Sequence, residues 1–316
     1  MLQTRDQYTV AVVGATGAVG REMISILGER NFPIEELRLY ASARSAEKKI
    51  QVGRKEYTVS ALTPQAFEGV DLALFSAGKA VSLEMAPEAT ERGCVVIDNS
   101  SAWRADPAVP LVVPEVNPDD LGWYEQKGIV ANPNCSTIQL VVALKPLADA
   151  FGLRRVTVAT YQSVSGAGQK GIDELSGQVT DLLNFREVKK TVHPHQMAFN
   201  CVPQIGPFRD DGYTEEEWKL VTESQRILGM PELEVCPTAV RVPVFAGHGE
   251  SVSIETLEPL SVEEARATLA HAPGVELRDD PEQQLYPMPY TSTSRDEVHV
   301  GRIRKDPFRE HVLNLW

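Results

Sequence analysis

Over the first third of the chain, short β-rich runs alternate with stretches whose apolar positions recur at helical intervals. Tyr8-Val13, Leu37-Tyr40, Asp71-Phe75 and Cys94-Asp98 read as buried strands, and Ala18-Gly28 and Ser82-Arg92 as helices between them. Such alternation predicts a doubly wound parallel sheet. Gln51-Val59, with Gly53 near its middle, predicts a hairpin inserted on the edge of that sheet. Beyond Cys135 the pattern changes to longer strands, Val156-Ser163, Thr238-Val244 and Ser251-Leu257, separated by helices and Pro-rich connections. That texture predicts an α+β unit with a mixed sheet. Thr137-Phe151 has the period of a long helix, and Thr214-Leu228 opens on a Thr cap followed by Glu215, Glu216 and Glu217. The predicted fold class is thus α/β, with a doubly wound domain over 1–131 and an α+β domain over 132–316. The closing run His311-Trp316 is apolar and strand-like, and is expected to be left exposed for want of a covering segment.

At 316 residues the chain is long enough for two domains with separate cores, and 42% hydrophobic with 24% charged residues describes a globular protein. The longest apolar runs, such as Leu140-Leu144, are too short to span a bilayer, so no membrane role is expected. Met1-Gln7 has no apolar signal core, which makes a cytoplasmic location the expectation. A net charge of −13 argues against nucleic-acid binding, and any anionic substrate needs a local basic pocket. Cys94, Cys135, Cys201 and Cys236 are widely spaced without a CxxC pair, so neither a metal site nor a disulfide framework is expected.

Four segments carry the chemistry. The first strand runs into Gly14-Ala15-Thr16-Gly17-Ala18-Val19-Gly20 and then a helix, the arrangement in which glycines let the backbone approach a pyrophosphate at a helix N-terminus. The second strand ends in Ala41-Ser42-Ala43-Arg44-Ser45, with no carboxylate for a ribose 2′-hydroxyl but an Arg suited to a 2′-phosphate, which favours NADP over NAD. Asn132-Pro133-Asn134-Cys135-Ser136-Thr137 places a cysteine where a helix should begin, and unpaired N–H groups there stabilise a thiolate. A thiolate beside a nicotinamide cofactor fits aldehyde oxidation through a thiohemiacetal and a thioester. Downstream, Thr238-Glu250 supplies His248 in a Gly-His-Gly turn as acid and base, and Arg241 to grip a carboxylate bidentately.

GATGAVG, ASARS, DNSSAWR, NPNCSTIQ, YQSVSGAGQKG, HPHQMAFN, EEEWK and RVPVFAGHGE together resemble the aspartate-semialdehyde dehydrogenases of the bacterial type, over nearly the whole chain. The resemblance implies a Rossmann-like NADP-binding domain and a catalytic and dimerisation domain like the carboxyl-terminal domain of glyceraldehyde-3-phosphate dehydrogenase. It implies that Cys135 is the nucleophile, His248 the acid and base, and that Gln162 orients the substrate. Arg241 would hold the α-carboxylate, Glu216 the α-ammonium, and Arg104 with Lys219 the phosphate, with Asn134 also at the substrate. Gly14, Thr16, Gly17, Ala18, Val19, Ser42, Arg44, Ser45, Ser76, Gly78, Ser165 and Gly166 would contact the cofactor. The implied substrates are aspartyl phosphate, aspartate semialdehyde and phosphate, and the implied assembly is a homodimer or homotetramer. Family members continue past the equivalents of Leu315-Trp316, so a lost helix and impaired nucleotide binding are expected here. A catalytically silent nucleotide-binding homologue is therefore one alternative. N-acetyl-glutamyl-phosphate reductase is another, although that family expects Cys-Tyr-Pro where this chain has Cys135-Ser136-Thr137.

Overall fold

A computed structural model describes residues 4–316. The chain forms two compact units, one holding residues up to Val112 with Asn117–Pro133, the other Val113–Val116 with Asn134–Trp316.

The first unit contains β1 (Tyr8–Val13), α1 (Ala18–Glu29), β2 (Ile34–Ala41), β3 (Lys49–Val52), β4 (Lys55–Thr58), β5 (Ser60–Ala61), β6 (Leu72–Phe75), α2 (Lys79–Glu91), β7 (Val95–Asp98) and β8 (Ile129–Ala131). Six of these strands form one parallel sheet in the order β5-β2-β1-β6-β7-β8, the doubly wound arrangement that the pattern predicts. Its core gathers Val10 and Val12 of β1, Ile24 of α1, Leu37 and Leu39 of β2, and Val59. The expected hairpin exists but not on the sheet edge: β3 and β4 pair only with each other, and the edge strand is β5. Ile50 explains the difference, because its burial draws the hairpin into the core built by α1 and β2.

The second unit contains α3 (Cys135–Phe151), β9 (Leu153–Gln162), α4 (Gln169–Leu183), α5 (Glu215–Leu228), β10 (Glu234–Arg241), β11 (His248–Thr256), α6 (Val262–Ala270), β12 (Val275–Leu277), α7 (Pro289–Ser292), β13 (Val298–Val300), β14 (Arg304–Lys305) and β15 (Val312–Leu315). The main sheet runs β10-β9-β11-β15-β14, and it is mixed: β10 is parallel to β9, while β11 is antiparallel to both β9 and β15. Its helix-facing side buries Val156, Val158, Val252 and Ile254 against Leu140, Leu144 and Leu147 of α3 and Leu220 of α5. The apolar run near the end of the chain is not exposed, as expected from its sequence, but lies between β11 and β14 with Leu313 and Leu315 buried.

Register in this sheet sets the functional geometry. Gln162, the last residue of β9, is paired with Arg241 in β10 and with His248 in β11. Three polar side chains far apart in sequence thereby reach one end of adjacent strands.

Candidate active site

The turn before α3 is built to present Cys135. Asn134 adopts an extended conformation, and its side-chain oxygen accepts the N–H of Ser136 at 3.0 Å. Capping by Asn134 starts the helix at Cys135, two residues before the point that apolar spacing indicates. Two glutamates of α5 brace the turn from behind. The backbone N–H of Asn134 donates to Oε2 of Glu223 at 2.7 Å, and Nδ2 of Asn134 donates to Oε1 of Glu216 at 3.0 Å. Cys135 itself is exposed at the first helical position, where the helix dipole favours an anion.

Nε2 of His248 lies 3.3 Å from Sγ of Cys135. His248 is not in a turn, as its flanking glycines led us to expect, but is the first residue of β11. Those glycines admit close neighbours instead: a Cβ at Gly247 would sit 2.8 Å from the Pro289 carbonyl oxygen, and one at Gly249 would overlap the Trp316 indole. The imidazole is pushed down to about 4, by loss of solvent first and then by the Arg241 charge, against a hydrogen bond with the Gly247 backbone and the Glu216 charge. Near neutral pH the ring is uncharged.

Arg241 is buried, and its Nη1 donates to the Ser163 carbonyl at 2.7 Å. Burial pulls its affinity for a proton down, while the charges of Glu216 and Cys135 work in the opposite direction. A Cβ at Gly166 would lie 2.8 Å from Nη1, so this glycine gives the guanidinium its space. Beside it, Nε2 of Gln162 donates to Oε1 of Glu216 at 3.1 Å and makes a short hydrogen bond to the Ser136 hydroxyl. Nζ of Lys219, one helical turn from Glu216, donates to its Oε2 at 3.1 Å. Burial alone would raise the Glu216 carboxyl, but the Lys219 charge and hydrogen bonds from Gln162, Asn134 and Lys219 outweigh it and leave Glu216 below its ordinary value. The second unit thus brings Cys135, His248, Gln162, Arg241, Glu216, Lys219 and Asn134 into one connected cluster. Ser165 joins it through the Ser163 hydroxyl at 2.8 Å.

The other candidates lie in the first unit. Gly14 has φ +91, and a Cβ there would lie 2.5 Å from the Ser76 carbonyl oxygen, so the β1–α1 turn and the loop after β6 approach backbone to backbone. No side chain caps α1 at Gly17, which leaves Ala18 and Val19 at an uncapped helix N-terminus; Thr16 lies in the same turn and Gly78 is the N-cap of α2. The Ser42-Arg44-Ser45 turn follows β2 directly, with Arg44 exposed. These residues fit a dinucleotide. Arg104 is not a loosely solvated side chain: its Nε donates to the Asn132 carbonyl at 2.9 Å and Nη2 to that of Asn99 at 3.0 Å. Among the described residues there is no cluster of His, Cys, Asp or Glu able to hold a metal ion, and no helix long and apolar enough to cross a membrane. None of the four cysteines is in a disulfide.

Sequence reasoning missed Glu223 and Ser163. Glu223 carried a readable signal, because Glu216, Leu220, Glu223 and Ile227 form one helical stripe and two carboxylates in an apolar stripe need partners. Ser163 carried none, since it acts through its backbone.

Glu250, one pleat along β11 from His248, is buried, and its Oε1 has no hydrogen-bond partner. It lines a cavity of about 250 Å³ with Gln139 and His299. Burial pushes its carboxyl up to about 8 against a hydrogen bond from Gln139. The folded protein therefore binds this proton where the unfolded chain releases it, so stability is lost as pH rises from the ordinary carboxyl range through about 8. Glu250→Gln is expected to melt increasingly above the parent between pH 5 and pH 9, with a gap on the order of a few kcal/mol at the alkaline end. A constant gap across that range in paired melting curves would show that Glu250 ionises normally.

Residues 9–124 match the model of the semialdehyde dehydrogenase NAD binding domain, and residues 144–316 that of the semialdehyde dehydrogenase dimerisation domain. The aspartate-semialdehyde dehydrogenase of Aquifex aeolicus is 54% identical over 311 residues, which span 98% of this chain and 92% of that protein. The crystal structure of aspartate semialdehyde dehydrogenase II from Vibrio cholerae, complexed with ASA, superposes with a TM-score of 0.96 at 47% identity, covering 99% of this chain and 92% of the other. The Candida albicans enzyme, crystallised with NADP, superposes with a TM-score of 0.75 at 26% identity over 98% of this chain and 92% of that one. With both domain models matched and about half of all positions shared with full-length relatives, the chain belongs to the aspartate-semialdehyde dehydrogenase family.

Proposed function

We propose that the chain converts L-aspartyl 4-phosphate to L-aspartate 4-semialdehyde, reversibly and with NADPH, through a thioacyl intermediate on Cys135. This places it in the biosynthesis of lysine, threonine and methionine. The observation that carries the reading is the thiol of Cys135 at a helix N-terminus, 3.3 Å from His248 and grouped with a buried Arg241 and Glu216 of opposite charge. An amino acid offers one carboxylate and one ammonium, and this cluster offers a guanidinium and a carboxylate to meet them.

The Cys135 sulfur attacks the acyl carbon, and the phosphate leaves with the electron pair of the broken C–O bond. Arg241 grips the α-carboxylate and Glu216 faces the α-ammonium, so the side-chain acyl group is the part presented to sulfur. Gln162 orients the substrate from the strand end, and Glu223 and Asn134 keep the nucleophile's turn in place. We assign the departing phosphate to Lys219. NADPH, when bound on the first unit, supplies the hydride that reduces the thioester. We read the working form as a dimer through the second unit, consistent with the family's dimerisation domain.

Arg44→Ala is expected to weaken NADP by about ten-fold to a hundred-fold, the loss of a charge-assisted contact of roughly 1.5–3 kcal/mol, with little change for NAD. Equal losses for both cofactors in titrations would show that Arg44 supports the turn and not the 2′-phosphate. The function itself is tested by incubating the chain with aspartate semialdehyde, NADP⁺ and phosphate. Phosphate-dependent formation of NADPH is expected; no NADPH, or NADPH formed without regard to phosphate over many turnovers, contradicts it.

A further inference from the structure

Residues 191–198, which include most of the HPHQMAFN run, form neither helix nor strand, yet two buried side chains one turn apart on α4 fix them. The Glu174 carboxylate accepts the N–H groups of Thr191, Val192 and His193. Gln178 takes the other end of the stretch: its Oε1 accepts the N–H of Met197 at 2.8 Å and that of Ala198 at 3.0 Å, and its Nε2 donates to the Lys189 carbonyl at 3.0 Å. A peptide N–H only donates and a carbonyl only accepts, so these three partners leave the amide one orientation.

The segment anchored in this way leads to the substrate site. Val202, four residues past Ala198, exchanges two backbone hydrogen bonds with Arg241, each 2.9 Å long. Arg241 is the last residue of β10, and β10 is an edge strand. On its inner side Arg241 is in register with Gln162 of β9; on its outer side it meets Val202. A strand end held on one side alone frays, and a guanidinium fork displaced by about 1 Å loses its grip on a carboxylate. Met197, Ala198 and Val202 also pack with Leu175 of α4 and with Val164, which opens the loop carrying Gly166 beside the guanidinium.

We propose that Gln178 is a positioning residue for Arg241: by holding Met197 and Ala198 it sets where Val202 meets β10, and so where the guanidinium meets the substrate's α-carboxylate. The proposal rests on Arg241 binding that carboxylate. It gives the HPHQMAFN run a part in substrate binding without a contact to substrate. Glu174 fixes the front of the run and Gln178 the back, which is the end nearer Val202 along the chain. A grip on the α-carboxylate is the same before and during the chemistry, so its weakening raises KM and leaves kcat unchanged.

The test combines steady-state kinetics of the full chain with hydrogen exchange resolved to single amides. Gln178→Met, of similar length without the amide, and Gln178→Asn, whose amide falls one methylene short, remove the clamp by different routes. Each is expected to raise KM for aspartate semialdehyde about five-fold to twenty-fold, with kcat and the KM for phosphate within about two-fold of the parent. Exchange of the Val202 and Arg241 N–H groups should quicken about ten-fold, with the β9–β11 pairs unchanged. Gln178→Glu keeps an acceptor for both N–H groups and should stay within about two-fold of the parental KM. In Arg241→Lys, adding Gln178→Met should raise KM by less than about two-fold more, because the contact it supports is already weakened. In the parent, Met197, Ala198, Val202 and Arg241 should share one opening, a result that needs no variant to fold. A Gln178 variant that melts earlier at parental KM, an undiminished effect in Arg241→Lys, or a Val202–Arg241 pair still protected after Met197 and Ala198 have opened would overturn the proposal. A parent chain without turnover would refute the function instead, and exchange at Val202 and Arg241 would then decide the positioning role alone: quickened in the variants it upholds the role, unchanged it overturns it.

Discussion

Cys135→Ala is expected to lower turnover by more than about 10⁴-fold, because no other group in the cluster can form the thioester. Binding of NADP should stay within about two-fold of the parent, since the deleted atom makes a covalent bond to substrate and none to the cofactor. The other cysteines cannot take over. Cys94 is buried with its thiol pushed up to about 12, chiefly by desolvation and then by Asp71, and Cys201 and Cys236 do not begin a helix. Rapid alkylation should therefore fall on Cys135, with Cys94 inert in the folded protein. A Cys135→Ala protein that still forms an acyl-enzyme would place the nucleophile elsewhere.

Arg241→Lys carries the second large effect. The guanidinium is held in a fixed orientation by the Ser163 carbonyl and by the space that Gly166 leaves beside it. An ammonium reproduces the charge but not the planar fork, and it leaves either the Ser163 carbonyl or the substrate carboxylate without its partner. A loss in kcat/KM of about ten-fold to a hundred-fold is expected, from roughly 1.5–3 kcal/mol of charge-assisted hydrogen bonding. The pH at which His248 titrates should stay low, because the ammonium keeps the positive charge that is the second cause of the ring's displacement. Near-parental kcat/KM for aspartate semialdehyde would assign the carboxylate to another residue.

Much of this was legible in the sequence where the signal is local. Tyr8-Val13 and the glycines after it declare a strand, a tight turn and a helix within a short window, and the structure has all three. The Thr214 cap with Glu217 was equally local, and it forms a reciprocal capping box. What could not be read is set by register. Nothing near Gln162 says that it will pair with both Arg241 and His248, because that depends on how three strands align after the chain has folded. The same limit explains the hairpin, whose place depends on the burial of Ile50, and the closing strand, whose apolar side chains are covered by a sheet assembled from distant segments. Backbone roles are silent in composition altogether, which is why Ser163 emerged only from geometry. Reading His248 as a turn residue failed because glycines serve close packing as well as turns, and here Pro289 and Trp316 occupy the space they leave.

The central claim is that a substrate-derived acyl group is carried by Cys135. It is tested most directly by mixing the chain with aspartate semialdehyde and NADP⁺ without phosphate, quenching rapidly, and mapping the modified peptide by mass spectrometry. The account predicts one burst of NADPH per active site with an aspartyl thioester on Cys135, discharged when phosphate is added. A burst with Cys135 unmodified, or an acyl group on any other residue, would contradict it.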